Sequence, residues 1–182
     1  MTSYSNAVTA REAYDLIIKG GGNHFAKVVA ACESLGPYCL IDDLAVSCYV
    51  EPVYTLDADI VVIAHQLSAV SERLRQQGFV VETHPHSVNV RSAGGELRIQ
   101  FTTDERYQAF LARSEEREVL GRRVRVACLQ DVAQGKLWAY DDPQRRLSKR
   151  KKDELDLIRL AEAYPTLKSM YPRDLLDQLK EI

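Results

Sequence analysis

The sequence predicts an α/β (α+β) chain in which helices flank a mixed β-sheet and a helical subdomain closes the C-terminus. Three observations predict it. The first sixty or so residues alternate helical periodicity with short apolar runs. Three strand-like segments between residues 79 and 101 are parted by turn sequences, and the last third of the chain repeats apolar residues at helical spacing. With 182 residues, 46% hydrophobic and 27% charged, the chain can bury a core without disulfides and is too apolar for disorder.

Each element follows from local chemistry. Thr9 and Glu12 have capping-box spacing and open a helix that the Gly20-Gly21-Gly22 triplet stops. Asn23 then caps a second helix along the stripe Phe25, Val28, Val29, Cys32 and Leu35, and Gly36-Pro37 ends it before an apolar strand at 38–41. Residues 44–51 read as a helix finishing near Pro52, because the residue before proline avoids helical geometry. A second strand occupies 57–63, and an exposed helix at 68–77 stops at Gly78.

Strands at 79–83, 87–91 and 96–101 form an antiparallel meander, separated by His84-Pro85-His86 and Ser92-Ala93-Gly94-Gly95. A helix at 107–113, a short strand at 122–127 and helices at 129–140, 148–164 and 174–180 complete the chain. The division is an α/β core over 1–127 and a helical subdomain over 128–182, with a soft boundary that also admits a single domain.

Composition narrows the function. The apolar run from Ile60 to Ala64 is far short of the roughly 20 residues that span a bilayer, and the N-terminus has no signal-like pattern, so the expectation is a cytoplasmic protein with no membrane partner. Cys32, Cys39, Cys48 and Cys128 form no CxxC pair and read as core residues in a reducing compartment. His65, His84 and His86 have no metal-ligand spacing. The formal charge of −2 conceals a basic run: Arg145, Arg146, Lys149, Arg150, Lys151 and Lys152 fall within eight residues. That run is a solvated face or a site for RNA or phosphate at Arg145, Arg146, Lys149, Arg150 and Lys152.

Asp57 and Asp59 carry the strongest chemical signal. Side chains at i and i+2 share a face of a strand, so two carboxylates stand side by side on a segment that otherwise favours burial. A cation between them removes the repulsion, and hard oxygen ligands suit Mg²⁺ (or Mn²⁺) holding nucleotide phosphates; a solvated edge or an arginine partner is the alternative. Lys136 lies on the helical stripe of Leu129, Val132, Ala133 and Tyr140, so its ammonium faces the sheet and needs a phosphate or carboxylate partner, unless it snorkels. Gly135 beside it suggests a close backbone approach. Asp153 continues the stripe of Leu157, Leu160, Ala161 and Tyr164.

The segment Leu40-Ile41-Asp42-Asp43-Leu44-Ala45-Val46, with Glu51-Pro52-Val53-Tyr54-Thr55-Leu56-Asp57-Ala58-Asp59-Ile60-Val61-Val62, resembles the signature of the DNA polymerase β-like nucleotidyltransferase superfamily. Downstream, Val126-Ala127-Cys128-Leu129-Gln130-Asp131-Val132, Lys136-Leu137-Trp138-Ala139-Tyr140, Arg145-Arg146 and Lys152-Asp153-Glu154-Leu155-Asp156-Leu157 are similar to AbiEii-type toxin nucleotidyltransferases. The resemblance implies a mixed sheet of nucleotidyltransferase type and a metal-dependent enzyme that moves a nucleotide from a nucleoside triphosphate to an acceptor. It further implies a toxin of a toxin–antitoxin or abortive-infection system, tRNA or another RNA as acceptor, and a cognate antitoxin. Asp57, Asp59, Lys136 and Asp153 take the catalytic places, with Asp153 orienting Lys136 or acting as a base. Asp42, Asp43 and Lys136 take the nucleotide-binding ones.

Two positions depart from the pattern. Family members place Gly followed by Gly or Ser where Asp42 and Asp43 stand, and carboxylates facing a phosphate there oppose binding unless turned away or used as metal ligands. A third metal-binding acid falls at Gln100, which is neutral, and Glu96 is roughly 14 Å away along the strand. The alternative function is therefore a catalytically inactive nucleotidyltransferase-fold protein that binds nucleotide, RNA or a protein partner.

Overall fold

The computed structural model describes residues 20–179. The capping box at Thr9 and Glu12 and the helix it opens lie outside the described residues. The elements are α1 (Gly22–Glu33), β1 (Tyr38–Ile41), α2 (Asp42–Val46), β2 (Asp57–Val62), α3 (Leu67–Gln76), β3 (Val80–His84), β4 (Ser87–Arg91), β5 (Arg98–Thr102), β6 (Glu115–Val119), β7 (Arg122–Val126), α4 (Leu129–Asp141), α5 (Leu147–Ala163) and α6 (Arg173–Gln178). Short 3₁₀ segments occupy Ala64–Gln66, Glu105–Arg113 and Pro165–Met170.

Seven strands form one mixed sheet in the order β3-β4-β5-β2-β1-β7-β6. β2 is antiparallel to β1 and parallel to β5, β1 is parallel to β7, and β3, β4 and β5 form the expected antiparallel meander. Central β1 is buried at all four positions, as a strand covered on both faces must be. One buried cluster joins α1, the central strands, α4, α5 and α6, from Phe25 and Val28 through Leu40, Ile60 and Phe101 to Leu157, Leu160 and Leu175.

Four local expectations fail for physical reasons. The expected cap is absent: residues 20 and 21 are already helical, α1 starts at Gly22, and Asn23 lies inside it without capping. Complete burial of Phe25, Val28 and Val29 outweighs a glycine cost of about 1 kcal/mol per residue. The helix read at 44–51 is only α2, and residues 47–49 continue as a turn. The segment at 107–113 is a 3₁₀ helix beginning at Glu105, with the Asp104 side chain accepting the Arg106 N–H. Strand β6 has no apolar alternation because four of its five residues are exposed; the sheet edge, pairing with β7, makes it a strand. No helix among the described residues is long and apolar enough to cross a membrane.

Candidate active site

Register builds the site. Asp59 pairs with Ile41 of β1 on one side and with Gln100 of β5 on the other. Asp42, the residue after Ile41, therefore turns off the sheet beside the β2 carboxylates. Asp42 has φ 58°, the left-handed region that favours glycine, so the turn keeps a glycine-like backbone while carrying an aspartate. Neither Asp42 nor Asp43 caps α2, which has Ile41 at its N-cap and no side-chain capping bond.

Both side chains go instead to Lys136. Its Nζ, on a residue only 2% exposed, contacts Asp42 and lies 2.7 Å from Asp43 Oδ1, 2.9 Å from Asp156 Oδ2 and 3.2 Å from Asp153 Oδ1. Lys152 contacts Asp43, Arg145 Nε donates to Asp153 Oδ2 at 2.5 Å, and Arg159 Nη1 donates to Asp156 Oδ1 at 3.1 Å. Four carboxylates thus meet four cations, and the cluster is neutral as a whole. Burial by itself lowers the Lys136 pKa, but the charges of Asp42, Asp43, Asp156 and Asp153 outweigh it and hold the ammonium well above its usual range. Burial raises Asp43, and Lys136 with Lys152 overcomes it, so Asp43 sits below the usual carboxylate range. For Asp42 burial wins over Lys136, and its pKa is raised.

The β2 pair is not balanced in this way. Arg98 Nε lies 2.7 Å from Asp57 Oδ1, while no donor among the described residues forms a hydrogen bond or ion pair with Asp59. Burial, then the charges of Asp42, Asp43 and Asp57, push the Asp59 pKa well above the carboxylate range. Gln100 stands across from Asp59, and Asn89 across from Gln100, so oxygen donors continue along one face of three strands. Asn89 Oδ1 is buried there without a hydrogen-bond partner.

These residues floor a cleft of about 740 Å³ whose opposite wall carries Arg145, Arg146, Lys149 and Lys152. Arg146 and Lys149 are engaged in no hydrogen bond or ion pair with side chains among the described residues, so their charges stay available to an anion. Arg150 turns elsewhere: its Nε donates to the Tyr140 carbonyl and its guanidinium lies 6.0 Å from that ring. Lys151 pairs with Glu154 at 2.7 Å. The basic run therefore divides, with four of its side chains on the cleft. His84, Arg91 and Arg98 also line the cleft and were missed in the sequence; strand parity, which puts Arg98 on the Gln100 face, was the available signal for that residue.

A divalent cation suits this donor set. Asp57 and Asp59 offer carboxylate oxygens, Gln100 and Asn89 offer neutral amide oxygens, and Asp59 has no direct ion-pair partner among the described residues, the attraction of Lys136 being outweighed by burial and three acids. Among the described residues no three carboxylate, imidazole or thiolate groups converge into a metal cage.

Neither a protein-family profile nor a curated protein matches the sequence. Solved structures do. The antibiotic-resistance factor ANT(2'')-Ia superposes with a TM-score of 0.59 at 15% identity, covering 90% of this chain and 96% of its own. An H. pylori protein assigned as a nucleotidyltransferase gives 0.55 at 17%, covering 88% and 74%. An antigenic nucleotidyltransferase-like protein from Paracoccidioides brasiliensis gives 0.50 at 16%, covering 95% and 94%. The chain has a nucleotidyltransferase fold. At these identities the likeness speaks of architecture alone.

Proposed function

We propose that this protein is a metal-dependent nucleotidyltransferase that moves a nucleoside monophosphate from a triphosphate to an acceptor hydroxyl. The observation that carries the reading is the charge layout of the cleft. The unpartnered Asp59 beside Asp57 faces a basic wall with two uncommitted cations, as a metal–triphosphate complex requires.

In this reading Asp57 and Asp59 would hold Mg²⁺ or Mn²⁺, which would replace the Arg98 guanidinium as the counter-charge to Asp57. The ion, when bound, neutralises phosphate charge and aligns the reacting oxygens. Arg146 and Lys149 hold the β and γ phosphates, joined by the exposed parts of Arg145 and Lys152. The acceptor oxygen bonds to the α-phosphorus as the bond to pyrophosphate breaks; pyrophosphate leaves with the electron pair and the hydroxyl proton passes to water. Lys136 and Asp153 are positioning residues, because the Lys136 ammonium is committed to four aspartates and the Asp153 carboxylate to Lys136 and Arg145. Asp42 and Asp43 hold Lys136 and Lys152 rather than phosphate, which removes the repulsion that two carboxylates facing a triphosphate would create.

The AbiEii resemblance adds tRNA or another RNA as acceptor and a toxin role with a cognate antitoxin, and the short apolar runs of the sequence add a cytoplasmic setting. A second reading, binding without turnover, is favoured by the neutral Gln100 where the superfamily supplies a third acid. One experiment separates them. The protein is incubated with each α-labelled triphosphate, Mg²⁺ or Mn²⁺, and either total tRNA or pooled small hydroxylated compounds. Label transferred by the wild type and lost in Asp57→Asn and Asp59→Asn supports transfer. Metal-dependent triphosphate binding with no labelled product under any condition supports the second reading.

A further inference from the structure

A second pocket, of about 500 Å³, opens beside the cleft and shares Arg145 with it. Its wall is the chain's sole tryptophan, Trp138, backed by Phe110 at 5.6 Å in near-parallel stacking and by Tyr107 edge-on at 5.2 Å. The Arg106 guanidinium lies 4.7 Å from the indole and is gripped by Asp104, which fixes it as a flat, neutralised face. A smaller cavity of about 130 Å³ lies between the two as a passage: Tyr107, Ala139 and Arg145 line it together with the pocket, Asp59, Gln100 and Arg145 line it together with the cleft, and the ion-paired Lys136 also borders it. Gly135 keeps the passage tight: a Cβ there would sit 3.2 Å from Tyr107 Cε1.

Charge in the pocket differs from charge in the cleft. Its two arginines are already paired, Arg106 with Asp104 and Arg145 with Asp153. The Asp141 carboxylate makes no hydrogen bond or ion pair among the described residues, and the Asp142 carboxylate accepts the Gln144 N–H and adds its charge to that of Asp104 on Arg106. Both stand where α4 ends, so the helix's own C-terminal negative potential adds to theirs. None of Arg146, Lys149 or Lys152 reaches the passage. Pyrophosphate departs toward those cations, and in-line displacement brings the attacking oxygen from the opposite side, where the passage opens on Asp59.

We propose that the Trp138 pocket is the acceptor subsite and that it takes a small polyhydroxylated ring bearing amino groups. This rests on the nucleotidyl-transfer reading above and names its acceptor class. Ring faces pack on the aromatic and guanidinium surfaces, ammonium groups meet Asp141 and Asp142, and one hydroxyl enters the passage toward Asp59. A polyanion is disfavoured, since its phosphates would face the carboxylates of Asp141 and Asp142.

Trp138 reports directly on the pocket because no other tryptophan contributes emission. The full-length protein is titrated with neamine, with D-glucose as the uncharged control and total tRNA as the polyanionic alternative, while magnesium-dependent binding of the four triphosphates is read calorimetrically on the same samples. The expected result is saturable change of Trp138 emission with neamine, at least tenfold weaker in an Asp141→Asn/Asp142→Asn variant that binds triphosphate within twofold of wild type. Both carboxylates lie at the exposed end of α4, so this variant should fold. Equal neamine affinity in the variant, an equal response to glucose, or a response to tRNA alone overturns the proposal. Triphosphate binding with an indole unmoved by neamine overturns the acceptor subsite by itself. Neamine binding without triphosphate binding overturns the nucleotidyl-transfer reading.

Discussion

Replacing Lys136 by methionine keeps the volume and removes the charge at the centre of the ion cluster. In the native protein Asp42, Asp43, Asp153 and Asp156 balance Lys136, Lys152, Arg145 and Arg159. After the change, Asp43 keeps Lys152, Asp153 keeps Arg145 and Asp156 keeps Arg159, but Asp42 keeps no cation. Removing one partner from a buried ion pair costs about 3–5 kcal/mol, because the remaining charge is stranded. For a chain of this size that corresponds to roughly 6–20 °C in Tm. Asp42→Asn in the same background removes the stranded charge and should recover at least half of the loss, whereas Asp42→Asn alone should cost less than Lys136→Met. Urea unfolding followed by circular dichroism, on all four proteins of the double-mutant cycle, measures the coupling. A loss below about 1 kcal/mol for Lys136→Met, or no recovery in the double variant, would refute the charge-balance argument.

Asp59→Asn should stabilise the protein by about 1–3 kcal/mol at pH 7, since burial and the charges of Asp42, Asp43 and Asp57 on an ionised Asp59 outweigh the attraction of Lys136. Because its folded pKa is raised, the penalty of the wild-type charge exists only above the unfolded carboxylate pKa of about 4; the advantage of the variant should vanish below that pH in paired melts. The same variant and Asp57→Asn should lose calorimetric Mn²⁺ binding. Arg146→Ala/Lys149→Ala should weaken magnesium-dependent triphosphate binding at least tenfold and flatten its salt dependence, with stability within about 0.5 kcal/mol of wild type. Gly135→Ala gains about 1 kcal/mol of helix propensity but pushes on Tyr107, whose ring is held between Phe110 at 5.1 Å and Trp138 at 5.2 Å; a net loss in Tm with shifted Trp138 emission is expected, and a higher Tm would contradict the tight packing.

Period-two and period-3.6 patterns were enough to place Asp57 and Asp59 on one face of a strand and Lys136 on the inner stripe of α4; that the Gln100 strand lies beside them came from the family resemblance and is borne out by the register. The first two placements are properties of one element at a time, and side-chain direction follows from backbone geometry. What faces Lys136 is not such a property. Asp43 is 93 residues away in the chain, and only the crossing of α2, α4 and α5 decides that four aspartates share one ammonium. The same holds for the basic run: its composition was visible, but the packing of α5 on Tyr140 turned Arg150 away while leaving Arg146 and Lys149 on the cleft. Strand β6 needed a partner strand before it was a strand at all, and the glycines opening α1 needed a core to bury Phe25. Tyr107, Phe110 and Trp138 read separately as ordinary helical residues, and their cluster forms because a 3₁₀ segment and α4 meet at Gly135, where the absence of a side chain lets the Tyr107 ring pack closely on α4.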